Sequence, residues 1–229
     1  MSQTVDPQQL TPREAWARLR SGNDRFVADA PAHPAQNTAR RRELQAEQHP
    51  HTVIFGCSDS RVAAEIIFDQ GLGDVFVVRT AGHVVDTTVI GSIEYGVDVL
   101  GASLVVVLGH DSCGAVAAAA RTLATGEQPG GFVRAVVDRV IPSIVNITSG
   151  DPATVTAALA DQDLLRREHV KHTVEMLHSY SAGLAKAVEE GRCAVVGLEY
   201  DLAVGSAHMV DVIGDVGELP PAVDLPRAG

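Results

Sequence analysis

The sequence predicts an α/β fold in which a mostly parallel central sheet is flanked by helices and preceded by a helical arm. Apolar runs of strand length alternate with helical patterns along the 229 residues, and these runs are apolar on both faces. Hydrophobic residues make up 45% of the chain and aromatic residues only 4%, as is typical of parallel strands covered by alanine-rich helices. The length suits one domain, residues 1–229.

Residues 1–50 are predicted to form the helical arm. Thr11 is a candidate N-cap of its first helix, because Pro12 stands at the first helical position and Glu14 completes the pattern of a capping box. A second, charged helix is predicted over 40–48. A helix with one apolar stripe must bury that stripe, and we expect the arm to pack on a partner subunit.

Four strands and six helices are predicted after the arm. Each strand is a short apolar run, and each helix shows apolar residues at helical spacing. The strands are predicted over 52–56, 75–78, 104–108 and 194–198. The helices are predicted over 63–68, 88–100, 115–123, 133–145, 164–180 and 182–190, and a tail rich in Gly and Pro follows the last strand.

Composition excludes several classes of function. The net charge of −11 argues against binding to nucleic acid or to anionic membranes, since phosphate contacts need clustered Lys and Arg. Three cysteines do not make a disulfide framework. The first residues lack the pattern of a signal peptide, and no apolar run approaches the ~20 residues of a membrane span. We therefore expect a cytoplasmic protein with neither nucleic acid nor membrane as its partner.

Two polar clusters follow predicted strands, at 57–61 and 110–114. Ligands of open α/β sheets bind beyond the carboxyl ends of strands. Cys57, His110 and Cys113 offer sulfur and nitrogen ligands suited to Zn²⁺, and three protein ligands leave a position open, as in catalytic zinc sites. Taken singly, Cys57 is typical of a buried small hydrophobic residue and His110 of a helix cap. Together they predict a metal site.

The Cys-x-Asp-x-Arg motif at 57–61 and the His-x-x-Cys motif at 110–113 resemble those of the β-class carbonic anhydrases. The resemblance covers essentially the whole chain and is carried further by 53–62, 76–82, 90–95, 105–117 and 165–170. It implies the fold of that family and one Zn²⁺ per chain. It also implies reversible hydration of CO₂ to bicarbonate and a proton, by attack of zinc-bound hydroxide on CO₂.

The resemblance assigns a role to each residue of the two motifs. Cys57, His110 and Cys113 are implied to be the zinc ligands. Asp59 and Arg61 match the catalytic dyad of the family, in which the aspartate is held by the arginine and accepts a hydrogen bond from the zinc-bound water or hydroxide. In some members this aspartate becomes a fourth zinc ligand, so Asp59 is a candidate metal ligand as well.

The resemblance also implies a substrate pocket shared between two chains. Gln48, Phe76 and Tyr95 match positions that line the pocket of plant-like members, and Gly114 lies where a backbone N–H can approach the substrate. A pocket of this kind needs a homodimer at least, and homotetramers are common in the family. The expected small-molecule partners are CO₂ and bicarbonate.

Two alternatives and one departure from the family accompany this interpretation. The same zinc centre would serve a hydrolase of CS₂ or COS. A non-catalytic, regulatory zinc-binding protein would hold Asp59 permanently on the metal.

Some bacterial members use a Trp and an Arg in a second, non-catalytic bicarbonate site. Arg79 matches that arginine, but Ile54 replaces the Trp, so we expect no inhibition by bicarbonate there.

Overall fold

One five-stranded sheet organises the chain in the computed structural model, which describes residues 9–145, 147 and 151–221. The strand order is β2-β1-β3-β4-β5; the first four strands are parallel, and β5 runs antiparallel to β4. The mostly parallel sheet predicted from the sequence is confirmed. The strands are β1 (Thr52–Cys57), β2 (Val75–Thr80), β3 (Leu104–His110), β4 (Ala194–Tyr200) and β5 (Ala207–Ile213).

Nine α-helices surround this sheet in the described part of the chain. A single 3₁₀ turn follows β2, and a π-helical turn follows α4. None of the described helices is long and apolar enough to cross a membrane. The helices are α1 (Pro12–Val27), α2 (Thr38–Glu43), α3 (Ala64–Ile67), α4 (Thr87–Glu94), α5 (Gly114–Thr125), α6 (Val133–Val145), α7 (Pro152–Ala160), α8 (Gln162–Tyr180) and α9 (Ala182–Glu189).

Several elements differ from the sequence-based prediction. The region predicted as a tail contains β5, an edge strand whose residues are mostly half-buried, so it lacks the apolar run that marks the inner strands. Helix α7 was missed because none of its residues is buried, and no apolar stripe marks it. The predicted helix 88–100 becomes α4 followed by the π-helical turn Tyr95–Val99, and the helix predicted over 40–48 is the shorter α2.

Helix α1 is present with the predicted capping box. The backbone N–H of Thr11 donates to Glu14 Oε2 (2.8 Å), and the backbone N–H of Glu14 donates to Thr11 Oγ1 (3.3 Å). Its apolar stripe lies in the core of the same chain, so burying it needs no second chain. Packing of the arm on a partner subunit stays a prediction. The clustered side chains include Ala15, Trp16 and Leu19 of α1 with Ile67 and Phe68 of the α3 region.

The sheet is covered on both faces, as the apolar strands require. In β3, Leu104, Val106 and Leu108 face the cluster that holds α1 and α3. The alternate residues Val105 and Val107 face the cluster built with α4, α8 and α9. This alternation follows from the two-residue period of a strand. Because both faces of the sheet are covered by apolar side chains, polar groups can gather at the carboxyl ends of the strands.

Two glycines of the sheet make room for helix α8. A Cβ atom at Gly109 of β3 would stand 2.4 Å from Val170 Cγ2, and one at Gly197 of β4 would stand 2.8 Å from Val170 Cγ1. Either side chain would push the helix outward. The glycines therefore decide how near α8 comes to the carboxyl end of β3.

A buried carboxylate ties the arm to the core. Asp69 follows α3, and its side chain is 1% exposed. Asp69 Oδ2 accepts hydrogen bonds from Arg25 Nε (2.6 Å) and the Ala32 N–H (2.8 Å), and Oδ1 accepts from the His33 N–H (2.9 Å). Burial opposes ionisation, but the two backbone donors and the arginine hold the pKa of Asp69 below its usual value.

We predict that Asp69→Asn lowers the free energy of unfolding by about 2 kcal/mol at pH 7, because hydrogen bonds to a buried charged group are lost. Since the folded pKa is depressed, the contribution of Asp69 is present above about pH 4 and is lost as the pH falls below that value. Urea unfolding at pH 7 and at pH 3.5 measures both effects.

Asp215→Asn is the control for this prediction. Asp215 pairs with Arg13 on the surface, where both side chains are more than half exposed. An exposed ion pair is screened by water, so this variant should unfold at nearly the wild-type urea concentration. Equal losses in the two variants at pH 7 would contradict the role assigned to Asp69.

Candidate metal centre

The three predicted metal ligands meet at the carboxyl ends of two neighbouring strands. β1 pairs with β3 in parallel, with Gly56 opposite Leu108, so Cys57 and His110 leave the sheet side by side. Cys113 immediately precedes α5. The ligand atoms of Cys57, His110 and Cys113 all lie within 4.8 Å of one another, and all three residues are buried.

The imidazole of His110 is oriented for ligation. His110 Nδ1 lies 2.6 Å from the backbone carbonyl of Asp111; since a carbonyl only accepts, Nδ1 carries the proton and donates. Nε2 is buried and has no hydrogen-bond partner among the described residues. An unpaired buried nitrogen is costly, and a metal ion at that lone pair removes the cost.

The thiols of Cys57 and Cys113 lie close together and shift each other's pKa in opposite directions. The neighbouring Cys113 thiol is the largest influence that lowers the pKa of Cys57; the nearby imidazole of His110 and the backbone N–H of Gly82 also lower it. The same contact between the thiols raises the pKa of Cys113. Burial lowers the pKa of His110, but the neighbouring Cys57 more than offsets this, and the net direction is upward. Metal binding would displace these protons.

These observations test whether the site fits Zn²⁺, and it does. Two sulfurs and one imidazole nitrogen are ligands that zinc prefers, and they converge within bonding reach of a single ion. Three protein ligands leave a fourth position for water or substrate, whereas structural zinc sites are closed by four protein ligands. Cys193, the remaining cysteine, lies at the opposite end of the sheet, immediately before β4.

Asp59 is paired with Arg61. Arg61 Nε donates to Asp59 Oδ1 (2.9 Å) and Nη2 donates to Oδ2 (2.8 Å), while the backbone N–H of Arg61 also donates to Oδ1 (3.0 Å). These hydrogen bonds hold the pKa of Asp59 far below its usual value, so the carboxylate is ionised. The role of Asp59 as an alternative metal ligand stays a prediction.

Arg79 braces the loop that carries this pair. It lies in β2 and reaches across the end of β1: its Nε donates to the carbonyl of Cys57 (3.0 Å), and its Nη2 donates to the carbonyl of Asp59 (2.7 Å). By resemblance, Arg79 matches the arginine of a second bicarbonate site, and the absence of inhibition through that site stays a prediction. In the structure its guanidinium fixes the backbone on both sides of Ser58.

The predicted pocket residues are only partly brought together. The rings of Phe76 and Tyr95 lie 6.2 Å apart between centroids. Gln48 lines a separate groove with Arg41 and other residues near α2, away from the ligands. At Gly114 an added Cβ would meet nothing within 4 Å, so the backbone there is open to a small molecule.

Three backbone groups at the site were missed by sequence reasoning. The N–H of Gly82 donates to Cys57 Sγ (3.3 Å), the carbonyl of Asp111 orients His110, and the carbonyl of Cys57 accepts from Arg79. Backbone contacts leave little trace in side-chain patterns. The one usable signal was Gly82, a glycine just after the end of a strand.

Comparison with known proteins agrees with this geometry. The family model described as carbonic anhydrase matches residues 52–207. Carbonic anhydrase 2 of Mycobacterium tuberculosis is 52% identical over 207 residues, which cover 90% of this chain and 97% of that protein.

Two solved structures share the fold. A β-carbonic anhydrase of Aspergillus fumigatus superposes with a TM-score of 0.61 at 26% identity, over 89% of this chain and 92% of that one. A tetrameric β-carbonic anhydrase of Sordaria macrospora superposes with a TM-score of 0.62 at 24% identity, over 82% and 93%. With the family model, the relative and the shared fold in agreement, this chain belongs to the β-carbonic anhydrase family.

Proposed function

We propose that this protein is a zinc-dependent carbonic anhydrase that reversibly hydrates CO₂ to bicarbonate and a proton. The observation that carries the proposal is the group of three candidate ligands, in which the buried Nε2 of His110 has no hydrogen-bond partner among the described residues. An ionised carboxylate, Asp59, lies two residues after the ligand Cys57. Membership of the family and the 52% identity to a protein named carbonic anhydrase support it.

Cys57, His110 and Cys113 would hold the Zn²⁺, one ion per chain. When bound, Zn²⁺ supplies the acidity that turns water into hydroxide near neutral pH. The N–H of Gly82 and the carbonyl of Asp111 hold two of the ligands in place. Preorganised ligands of this kind keep the fourth position free for the reaction.

Asp59 orients the oxygen nucleophile. Its Oδ1 already accepts two hydrogen bonds from Arg61, whereas Oδ2 accepts one and keeps a free acceptor position. An ionised carboxylate can only accept, so a water or hydroxide bound there must point its hydrogen at Oδ2. A lone pair on the oxygen of this water or hydroxide then points away from Asp59 and is available to attack CO₂.

We predict that the wild-type protein binds one Zn²⁺ per chain and that Cys113→Ser loses most of it, because a hydroxyl is a far poorer ligand than a thiolate. Inductively coupled plasma mass spectrometry after dialysis against a weak chelator measures the stoichiometry. Cys193→Ser is the matched control, since Cys193 is equally buried but lies outside the ligand group, and it should keep the zinc. Equal zinc content in the two variants would refute the ligand assignment.

We predict that zinc-loaded Asp59→Asn keeps its metal and loses CO₂ hydration by about 100-fold, because an amide can present its NH₂ group to the nucleophile instead of an acceptor. Stopped-flow CO₂ hydration at pH 8.5 measures the rate, and the exposed Asp215→Asn serves as the control with the wild-type rate.

The outcomes separate the alternatives. Wild-type protein with one zinc per chain and no turnover of CO₂ would contradict the proposal; CS₂ and COS would then be assayed. No turnover of any of these substrates would favour the regulatory zinc-binding protein. A wild-type rate in Asp59→Asn would leave the reaction standing and remove the role of Asp59.

We also propose that the active unit is a homodimer or homotetramer. Tyr95 and Val99 form an exposed patch at the π-helical turn, 47% and 64% exposed, and Tyr95 lies beside the predicted pocket residue Phe76. The Sordaria macrospora neighbour is described as tetrameric. Exposed apolar side chains next to a pocket are typical of a subunit interface.

We predict a solution mass of at least twice the 24.1 kDa of one chain. Val99→Glu should lower that mass toward one chain, because it places a charge within an apolar contact. Val204→Glu, at a similarly exposed valine between β4 and β5, should not change it. Size-exclusion chromatography with light scattering measures the mass of the wild-type protein and of both variants. A monomeric, fully active wild-type protein would overturn the proposal.

A further inference from the structure

Two histidines, His83 and His169, lie buried near the metal centre and have no part in the proposed reaction. His83 and His169 are each 2% exposed, and their rings stack with centroids 4.3 Å apart. His83 has no hydrogen-bond partner on either ring nitrogen among the described residues, whereas both nitrogens of His169 have one. Of the two rings, therefore, His169 is linked to the site by hydrogen bonds, and His83 contacts its described surroundings through packing alone.

His169 reaches the metal centre through a single residue. His169 Nε2 lies 2.8 Å from the carbonyl of Gly82, and the N–H of Gly82 donates to Cys57 Sγ at 3.3 Å. One glycine thus carries both contacts. Gly109 and Gly197 bring α8 close enough to the sheet for this reach, because Val170, the next residue of the helix, packs against both.

The tautomer of His169 follows from its partners. Burial lowers the pKa of His169 to about 4, so the ring is neutral at pH 7 and has one N–H. Because the carbonyl of Gly82 can only accept, the hydrogen is on Nε2. Nδ1 then faces the Ser143 hydroxyl at 2.9 Å, whose one hydrogen is shared between Nδ1 and the carbonyl of Val140 at 2.6 Å. The ring is held at both ends and points its N–H at Gly82.

The hydrogen bond from His169 restrains Gly82, a residue whose backbone could otherwise adopt many conformations. Its φ of +64° lies in the left-handed region, and a Cβ there would stand 2.5 Å from Ala115 Cβ. Glycine is required at this position, and glycine also has the widest choice of other conformations. A hydrogen bond to its carbonyl restrains the direction of its N–H.

We infer that His169 is a positioning residue of the metal centre: it holds Gly82 so that the glycine N–H donates to the Cys57 sulfur, and it thereby slows the release of the metal. The inference rests on the proposed zinc centre and goes beyond it, because His169 touches neither metal nor substrate. Groups that hydrogen-bond a metal ligand directly commonly change metal affinity by about 10- to 100-fold, and His169 acts through one such group, the N–H of Gly82.

The test measures zinc release, with the wild-type protein and variants loaded with Zn²⁺ and mixed with excess of a chromogenic chelator. We expect His169→Leu to release zinc on the order of 10-fold faster than wild type. His169→Gln keeps an N–H near the position of Nε2 and should stay within about 3-fold of wild type. His83→Phe keeps the ring stack and has no hydrogen bond to lose, so it should release zinc at the wild-type rate.

A spectroscopic measurement separates positioning from a general loss of stability. In Co²⁺-substituted protein, loss of the N–H···S bond makes the Cys57 sulfur a better electron donor. The thiolate-to-cobalt charge-transfer band should therefore move to lower energy in His169→Leu and stay in place in His83→Phe. His51→Leu removes a buried histidine at the opposite end of β1, which bonds Thr52 and Gln70, and should lower stability without moving the band.

Each outcome bears on the inference. Zinc release and a cobalt band at wild-type values in folded His169→Leu would overturn it and leave the proposed function standing. Equal acceleration in His83→Phe would also overturn it, since ring packing would then be the cause. If His169→Leu does not fold, Ser143→Ala decides: we expect release about 3-fold faster, and the wild-type rate would overturn the inference. A wild-type protein that holds no zinc overturns the inference and the proposed function together.

Discussion

The parallel pairing of β1 with β3 is the constraint on which the rest of the site depends. Its register places Gly56 opposite Leu108, so that Cys57 and His110 leave the sheet together although 53 positions separate them in the chain. A register shift would turn the side chains of one strand to the other face. Close packing opposes such a shift, because the side chains of both strands fit against an apolar layer on each face of the sheet.

Around this pair, backbone groups carry out most of the positioning. The carbonyl of Asp111 orients His110, the N–H of Gly82 meets the Cys57 sulfur, and Arg79 holds the carbonyl of Cys57. Backbone groups at the ends of strands move little, since the sheet ladder fixes the chain that precedes them. The ligands are therefore preorganised, and a metal ion meets atoms that are already close together.

The fold was predictable from the sequence where apolar patterns were strong. The four parallel strands and the capping box at Thr11 are present as predicted, because the sequence signals of a buried strand and of a helix start lie within a few neighbouring residues. Strand β5 and helix α7 were missed for the opposite reason: β5 is half-buried at an edge, and α7 buries none of its residues. An element that contributes little to the core leaves little periodicity in the sequence.

The sequence by itself identified the candidate ligand set, since two cysteines and a histidine that follow strands together favour a metal site. It also placed Asp59 and Arg61 two residues apart, within reach of a paired contact. Only the tertiary structure showed that Asp59 forms an ion pair with Arg61. It also showed that Gly82 is hydrogen-bonded both to His169 and to Cys57. The physical reason is that ligand identity is a property of residue types, whereas hydrogen bonds between distant segments exist only once packing has set their distances.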